Sequence, residues 1–403
     1  MCRNNQSLAV AGSLCLLAAR LLAQDPQALP APNPANDTAR LLAGLQPSAD
    51  PAMVELTRQT SWQQHAKFFD TAWERLEKNQ LAKVRSWAKT NIPEAFAAKN
   101  NAFYMFSGPD FLYADTFFPQ AATYVMCGLE PIGPLPDVSK LAPRALGGEL
   151  HALQGSIYTV LNLSFFITKQ MQSDLQSHSL SGTLPILYIF LARSGKTIQD
   201  VSYVNLAGDG SLTTREENTP RSSKSPAPGV RIRFLTEGSD TPRTLYYFCT
   251  DLSDSSLKRS GFLTFCKTLA PGNACVKSAS YLMHESEFSA TRAFLLANAA
   301  TLVQDDSGIP CAHFTPDIWR LQVFGHYAGP ISLFKGCYQP KLAEYYKTTK
   351  PEPLDFGIGY RHRAGESTLM VATRKAAPAN EEKPPAAPAA ALPNGNTSSA
   401  PPP

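Results

Sequence analysis

The segment from residue 102 to residue 127 constrains the fold most, because it is typical of two strands joined by a short helix. Residues 102–106 are strand-like, Ser107-Gly-Pro-Asp110 has turn composition, residues 111–118 are helical in pattern, and residues 122–127 form a second apolar strand. A connection of this length that contains a helix favours a parallel crossover between the two strands. The sequence therefore predicts a sheet with a parallel portion.

The residues before this crossover predict a helical layer over 37–95. Asp50 and Pro51 have the composition of a helix start, and the tryptophans at 62, 73 and 87 lie on one apolar stripe with a period near that of an α-helix. Such a stripe is typical of a long helix, or a helical hairpin, that packs on a core.

The residues after the crossover predict an antiparallel portion of the sheet and further helices. Alternation and β-branched or aromatic content mark strands at 201–206, 230–235, 244–250, 301–304, 319–324 and 367–373, and helical patterns cover much of 138–193, 255–269 and 289–299. A polar loop, Ala207–Gly229, separates the first two of these strands. The chain is thus expected to form a single large globular α/β domain with a mixed sheet and a helical N-terminal layer.

Both ends of the chain differ in composition from the residues between them. Residues 1–23 have the layout of a secretory signal peptide, and their uncharged run is shorter than the roughly 20 residues of a transmembrane helix. A proline-rich linker is expected over 24–36, and the Ala/Pro-rich tail 376–403 is expected to be disordered. We therefore expect an exported protein, periplasmic or extracellular, with no transmembrane segment and with its globular domain over 37–375.

The overall charge argues against nucleic acid as a partner. The formal net charge is +4 for the whole chain, and removal of the two arginines in residues 1–23 lowers it to +2. A nucleic-acid-binding protein would concentrate basic residues on one surface, and the sequence contains no block of five like charges. The hydrophobic fraction of 43% is instead that of a packed globular protein.

Six cysteines follow the predicted signal peptide, and in an exported protein an even number favours disulfides. Cys266 and Cys275 flank a turn-rich stretch that one bridge can close, and Cys311 with Cys337 is the next candidate pair. Cys127 lies in an apolar run, where a free buried thiol and a disulfide are about equally consistent with the sequence.

Acidic residues follow three of the predicted strands. Asp110 comes after the strand at 102–106, and Asp305 and Asp306 come after the strand at 301–304; Glu130, after 122–127, is a weaker member of this set. In open α/β sheets, ligand sites form beyond the carboxyl ends of strands, where carboxylates serve in acid–base chemistry or bind a hard cation. Turn formation is the alternative for each aspartate, and the sequence favours it.

The histidines do not complete a known motif. His284 and Glu285 resemble the start of a zinc-protease helix, but position 288 is Phe where that motif needs a second histidine. Gly195-Lys-Thr197 resembles the end of a phosphate-binding loop, but position 190 is Phe where that motif needs glycine. His313 and His326 flank the strand at 319–324, and each alone is typical of a structural histidine.

Two functional hypotheses remain from the sequence. The first is an exported globular protein of unassigned function, a binding or envelope-associated module that engages a protein or a small molecule. The alternative is a hydrolase with catalytic Asp305, Asp306 and Asp110 at strand-end turns and His284 as their partner. The sequence identifies no cofactor, metal or substrate for either.

Overall fold

Ten strands form one mixed sheet within residues 34–48, 50–166, 179–215 and 227–375, which the computed structural model describes. The strands are β1 (Asn101–Tyr104), β2 (Thr123–Gly128), β3 (Lys196–Leu206), β4 (Leu212–Arg215), β5 (Ala227–Thr236), β6 (Arg243–Cys249), β7 (Gly272–Val276), β8 (Ala299–Gln304), β9 (Trp319–Gly325) and β10 (Thr368–Arg374). Their order across the sheet is β4-β3-β5-β6-β2-β1-β7-β8-β10-β9.

Helices precede the first strand and connect many of the later ones. They are α1 (Pro34–Leu42), α2 (Pro51–Leu56), α3 (Thr60–Leu76), α4 (Ala82–Asn91), α5 (Pro93–Ala97), α6 (Phe111–Phe117), α7 (Leu146–Leu163), α8 (Leu184–Arg193), α9 (Asp254–Ser260), α10 (Phe262–Leu269), α11 (Ser289–Asn298) and α12 (Pro340–Thr349). None of the helices in the described part of the chain is both long enough and apolar enough to cross a membrane.

The five central strands β6, β2, β1, β7 and β8 are parallel, and antiparallel strands flank them on both sides. The parallel pairing of β1 with β2 across α6 confirms the predicted crossover. From β1 the chain winds outwards through β2 towards β6, and it then returns to the other side of β1 to form β7 and β8. The direction of winding reverses between β1 and β7, and in doubly wound sheets the crevice at such a point is where ligands bind.

Both faces of the central strands are buried, which explains why most residues of these strands are apolar. Tyr104 and Tyr124 point into a core that is shared with α1–α8, whereas Phe103 and Val125 point into a second core with α10 and α11. This alternation follows from the two-residue period of a strand. The fold is therefore a single α/β domain with a mixed sheet and a helical N-terminal layer, as predicted.

The helical layer is built around one long helix. A π-helical segment, Glu77–Leu81, joins α3 to α4 without a break. Asp50 caps α2, because its Oδ1 accepts hydrogen bonds from the backbone N–H groups of Ala52 at 2.9 Å and Met53 at 3.3 Å. The predicted helix start at Asp50 and Pro51 is confirmed.

Three elements lie where the sequence patterns predict loop or linker. Strand β7 was expected to be loop, because Ala270-Pro-Gly272 has the composition of a turn, but the backbone continues directly into a strand between β1 and β8. Strand β4 lies inside the predicted loop Ala207–Gly229, and α1 begins at Pro34, inside the predicted linker. The predicted signal peptide, residues 24–33 of the linker, residues 216–226 of the loop and the tail 376–403 lie outside the described residues.

Neither predicted disulfide is present, since all six described cysteines are free thiols. Cys266 on α10 belongs to the second core, whereas Cys275 on β7 belongs to the first core, so the sheet separates their side chains. Cys311 is buried and Cys337 is half-buried at the end of a short 3-10 segment. Cys127 is a free buried thiol, and burial raises its pKa to about 12.

Candidate functional site

A cavity of about 590 Å³ opens at the carboxyl ends of β1, β2 and β7. Tyr104 from β1, Gly128 from β2 and Lys277 directly after β7 contribute to its wall. The cavity thus lies beside the reversal point between β1 and β7, where strand geometry favours a ligand site.

A buried ion pair lies at the base of this cavity. Asp110 caps α6 through the backbone N–H of Tyr113, 3.2 Å from its Oδ1. Its Oδ2 lies 2.8 Å from Lys277 Nζ and accepts a hydrogen bond from the Tyr104 hydroxyl at 2.9 Å. The side chains of Lys277 and Asp110 are 1% and 2% exposed. A full ionic contact is therefore held almost out of reach of water.

The ammonium of Lys277 has further partners beyond Asp110. It donates to the backbone carbonyl oxygen of Ser164, and it lies 4.3 Å from the centre of the Tyr113 ring, a cation–π distance. Burial raises the pKa of Asp110, and the contacts from Lys277 and Tyr104 oppose that shift. The contacts of Lys277 are thus with groups of the protein itself.

Residues 278–281, directly after Lys277, have an unusual backbone and are called the strained segment below. Ser278, Ser280 and Tyr281 have φ angles of 50°, 51° and 54°, in the left-handed region that residues other than glycine rarely adopt. Backbone of this kind persists only where the surrounding structure holds it, and it concentrates at functional sites. Ser278 lines the cavity, and its buried hydroxyl has no hydrogen-bond partner within the described residues.

Asp305 and Ser307, in the turn after β8, hold this segment. Asp305 Oδ2 accepts from the backbone N–H of Ser278 at 2.9 Å, and Ser307 Oγ accepts from that of Ala279 at 2.8 Å. Asp305 Oδ1 also accepts from the backbone N–H of Ser307 at 2.9 Å. A Cβ at Gly359 would lie 1.9 Å from Asp305 Oδ2, so only glycine fits beside this carboxylate.

Asp306 supports the same segment through a side chain. Its Oδ2 accepts from the hydroxyl of Tyr281 at 2.7 Å. Burial, together with the negative charge of Asp305, raises the pKa of Asp306 to about 7. Asp306 therefore changes its charge near neutral pH while it is bonded to the strained segment.

Glu130 lies on the opposite side of the cavity, beyond the end of β2. It is 3% exposed, and its Oε2 accepts from the hydroxyl of Tyr247 at 3.2 Å. The carboxylate packs on Gly128, where a Cβ would lie 2.1 Å from Oε2. A glycine at this position is what allows the carboxylate to fold over the strand end.

Aromatic and aliphatic side chains form most of the remaining wall. Tyr360 is central, because its ring lies 5.2 Å from that of Phe165 and 5.6 Å from that of Phe334. Its hydroxyl donates to the carbonyl oxygen of Ser278 at 3.0 Å, which ties the apolar wall to the strained segment. Leu333, at the mouth, is 79% exposed.

The structure brings the four predicted catalytic residues into one region, since His284 packs on Tyr281, the hydroxyl donor to Asp306. Asp110 lines the cavity, while Asp305 and Asp306 lie behind the strained segment and bond to it. His284 does not line this cavity; its ring packs edge-on against Tyr281, with centroids 5.2 Å apart. The catalytic role predicted for these residues stays a prediction.

The geometry supports neither His313 nor His326 as a site residue, and it does not support a site for a hard cation. Neither His313 nor His326 lines the cavity. Within the described ranges, no group of three His, Cys, Asp or Glu side chains is arranged to hold a metal ion.

Sequence reasoning missed Lys277, which is the centre of the site. The signal that could have located it is Ala274-Cys-Val276, a short apolar run directly before the lysine. No protein-family model, curated protein or solved structure matches the chain, so the functional argument rests on this geometry.

Proposed function

We propose that this is an exported protein that binds a small amphiphilic organic molecule in the cavity at the carboxyl ends of β1, β2 and β7. The observation that carries the proposal is the cavity of about 590 Å³, which combines an apolar aromatic wall with a few buried polar groups. Small-molecule sites in proteins have this size and this composition. The reversal of winding beside β1 is the place in such a sheet where ligands bind.

Binding is favoured over hydrolysis because the acids are already engaged. Asp110 is bonded to Lys277 and Tyr104, and Asp305 and Asp306 are bonded to the strained segment rather than facing the cavity. A general base must reach the proton that it removes, and no histidine is among the residues that line the cavity. No observation specifically favours the hydrolase alternative.

The proposal is tested by titration with Nile red, a neutral apolar dye. Phe334→Ala removes a ring from the cavity wall, and we expect it to weaken dye binding several-fold because apolar contact is lost. Ile318→Ala is the matched control, since Ile318 is an exposed apolar residue that does not line this cavity. Equal dye binding by the two variants, or no saturable binding by the unmodified protein, would contradict the proposal.

A further inference from the structure

The side chains that line the cavity include two acidic groups and one basic group. They are Asp110, Glu130 and Lys277. Lys277 and Asp110 neutralise each other at 2.8 Å, which leaves one carboxylate, that of Glu130. The carboxyl group of Glu130 thus has no basic partner among the residues that line the cavity.

No described cation compensates Glu130. It takes part in none of the ion pairs within residues 34–48, 50–166, 179–215 and 227–375, and the hydrogen bond to its carboxylate comes from the Tyr247 hydroxyl, a neutral donor. Burying a carboxylate without a cation is costly, and Glu130 is only 3% exposed. A ligand that brings its own positive charge would offset this cost.

The rest of the wall suits such a ligand. Rings of Phe106, Phe165, Phe334 and Tyr360 line the same cavity. Aromatic faces attract organic cations through their quadrupole, and they pack equally well against the apolar body of the same molecule. An anionic ligand would find no free cation among the lining residues, because Lys277 is bonded to Asp110.

We infer that the ligand of this cavity is an organic amine with an apolar body, and that Glu130 is the group that pairs with its ammonium. This inference rests on the proposed function, since it assigns the chemistry of a ligand in the same cavity. Glu130 acts here as a specificity-determining residue, while the aromatic wall contributes affinity without selecting for charge.

The inference is tested with three probes that share an aromatic body and differ in charge. Phenethylamine is cationic at neutral pH, phenethyl alcohol is neutral and phenylacetate is anionic. Isothermal titration calorimetry of the full chain should show that the amine binds about tenfold more tightly than the alcohol, because a charge-assisted hydrogen bond contributes more than a neutral one. Phenylacetate should bind most weakly.

The decisive variant is Glu130→Gln, which keeps the side-chain shape and can still accept from Tyr247. It should lower the affinity for phenethylamine about tenfold and leave the affinity for phenethyl alcohol unchanged. Glu94→Gln, on the exposed face of α5, removes the same net charge away from the cavity and should change neither. Thermal unfolding of both variants checks that each is folded.

The possible outcomes separate the two proposals. If the alcohol or the acid binds as tightly as the amine, or if Glu130→Gln does not affect the amine, the inference about Glu130 is wrong while a ligand cavity stands. If none of the three probes binds and Nile red does not bind either, both the cavity proposal and this inference are overturned.

Discussion

Helix α6 has an aspartate–lysine pair near each of its ends, and the two pairs are alike in chemistry. At its start Asp110 pairs with Lys277 at 2.8 Å, and in its last turn Asp115 pairs with Lys196 at 2.9 Å. Each aspartate also accepts a tyrosine hydroxyl, from Tyr104 at 2.9 Å and from Tyr124 at 3.2 Å. Two similar triads therefore lie less than two helical turns apart.

Their positions in the sheet distinguish them. Lys277 follows the carboxyl end of β7 and lines the cavity, whereas Lys196 is the first residue of β3 and lies at the opposite edge of the parallel strands. Neither Asp115 nor Lys196 lines the cavity of about 590 Å³. The comparison teaches that a buried ion pair does not by itself mark a functional site. Only the pair at the carboxyl ends of the parallel strands lies at the cavity, where a ligand can contact it.

The largest effect that separates the two pairs is expected from Lys277→Met. It leaves the carboxylate of Asp110 buried without a cation, and we expect the free energy of unfolding to fall by about 3–5 kcal/mol. Urea denaturation at neutral pH measures this loss. The double variant Asp110→Asn/Lys277→Met, which removes the orphaned charge, should recover much of it. A loss below about 1 kcal/mol in the single variant would show that the pair contributes no more than a surface contact.

The next effect concerns Asp306, near the Asp110–Lys277 pair at the carboxyl ends of the parallel strands. Because the pKa of Asp306 is about 7 in the folded protein and 3.8 ordinarily, the folded state binds more protons between these pH values. The contribution of Asp306 to stability is therefore present below pH 4 and is lost as the pH rises through 7.

Asp306→Asn should remove this pH dependence while it keeps an acceptor for Tyr281. The stability difference between variant and unmodified protein should change by roughly 2 kcal/mol across that window, since Asp305 shares the titration. Urea denaturation at several pH values measures it. The low pKa values of His65 and His284, about 4, have the opposite effect and are common to both proteins, so they cancel in the difference. A difference that is constant with pH would contradict the raised pKa of Asp306.

The smallest effect is expected at the Asp115–Lys196 pair, near the amino ends of the parallel strands. Asp115 is 14% exposed, against 2% for Asp110, so water can solvate its carboxylate when the lysine is lost. Lys196→Met should therefore lower the free energy of unfolding by about 1–2 kcal/mol and leave Nile red binding unchanged. Loss of dye binding in this variant, with the fold intact by circular dichroism, would mean that the two edges are not functionally separate.

Local patterns predicted much of the fold. The strand–turn–helix–strand run over 102–127 and the alternating strands after residue 200 were sufficient for the parallel and antiparallel portions of the sheet. The same patterns placed Asp110 and Asp305 at strand ends, because polar turns after apolar strands are visible in the sequence. The function of those turns was not visible, since turn composition is the same whether or not a ligand binds.

Two features of the site were beyond such patterns. Strand β7 is short and follows Pro271, so its composition resembles a loop, and Lys277 was missed with it. Glu130 was only a weak candidate in the sequence. Whether a cation from a distant part of the chain pairs with a carboxylate is not visible in the residues around it. Likewise, the predicted Cys266–Cys275 bridge failed because their distance along the chain does not reveal that the sheet lies between them.

The sequence by itself determined most of the elements and the class of the fold, because helix and strand periods are local properties of the chain. Only the tertiary structure decided the order of the strands, and with it the reversal between β1 and β7 that brings Asp110 and Lys277 together across 167 positions of sequence. Ion pairing, burial and cavity shape depend on residues that are distant in the chain. They arise when the strands assemble into the sheet, which is why the site could be located only in the folded protein.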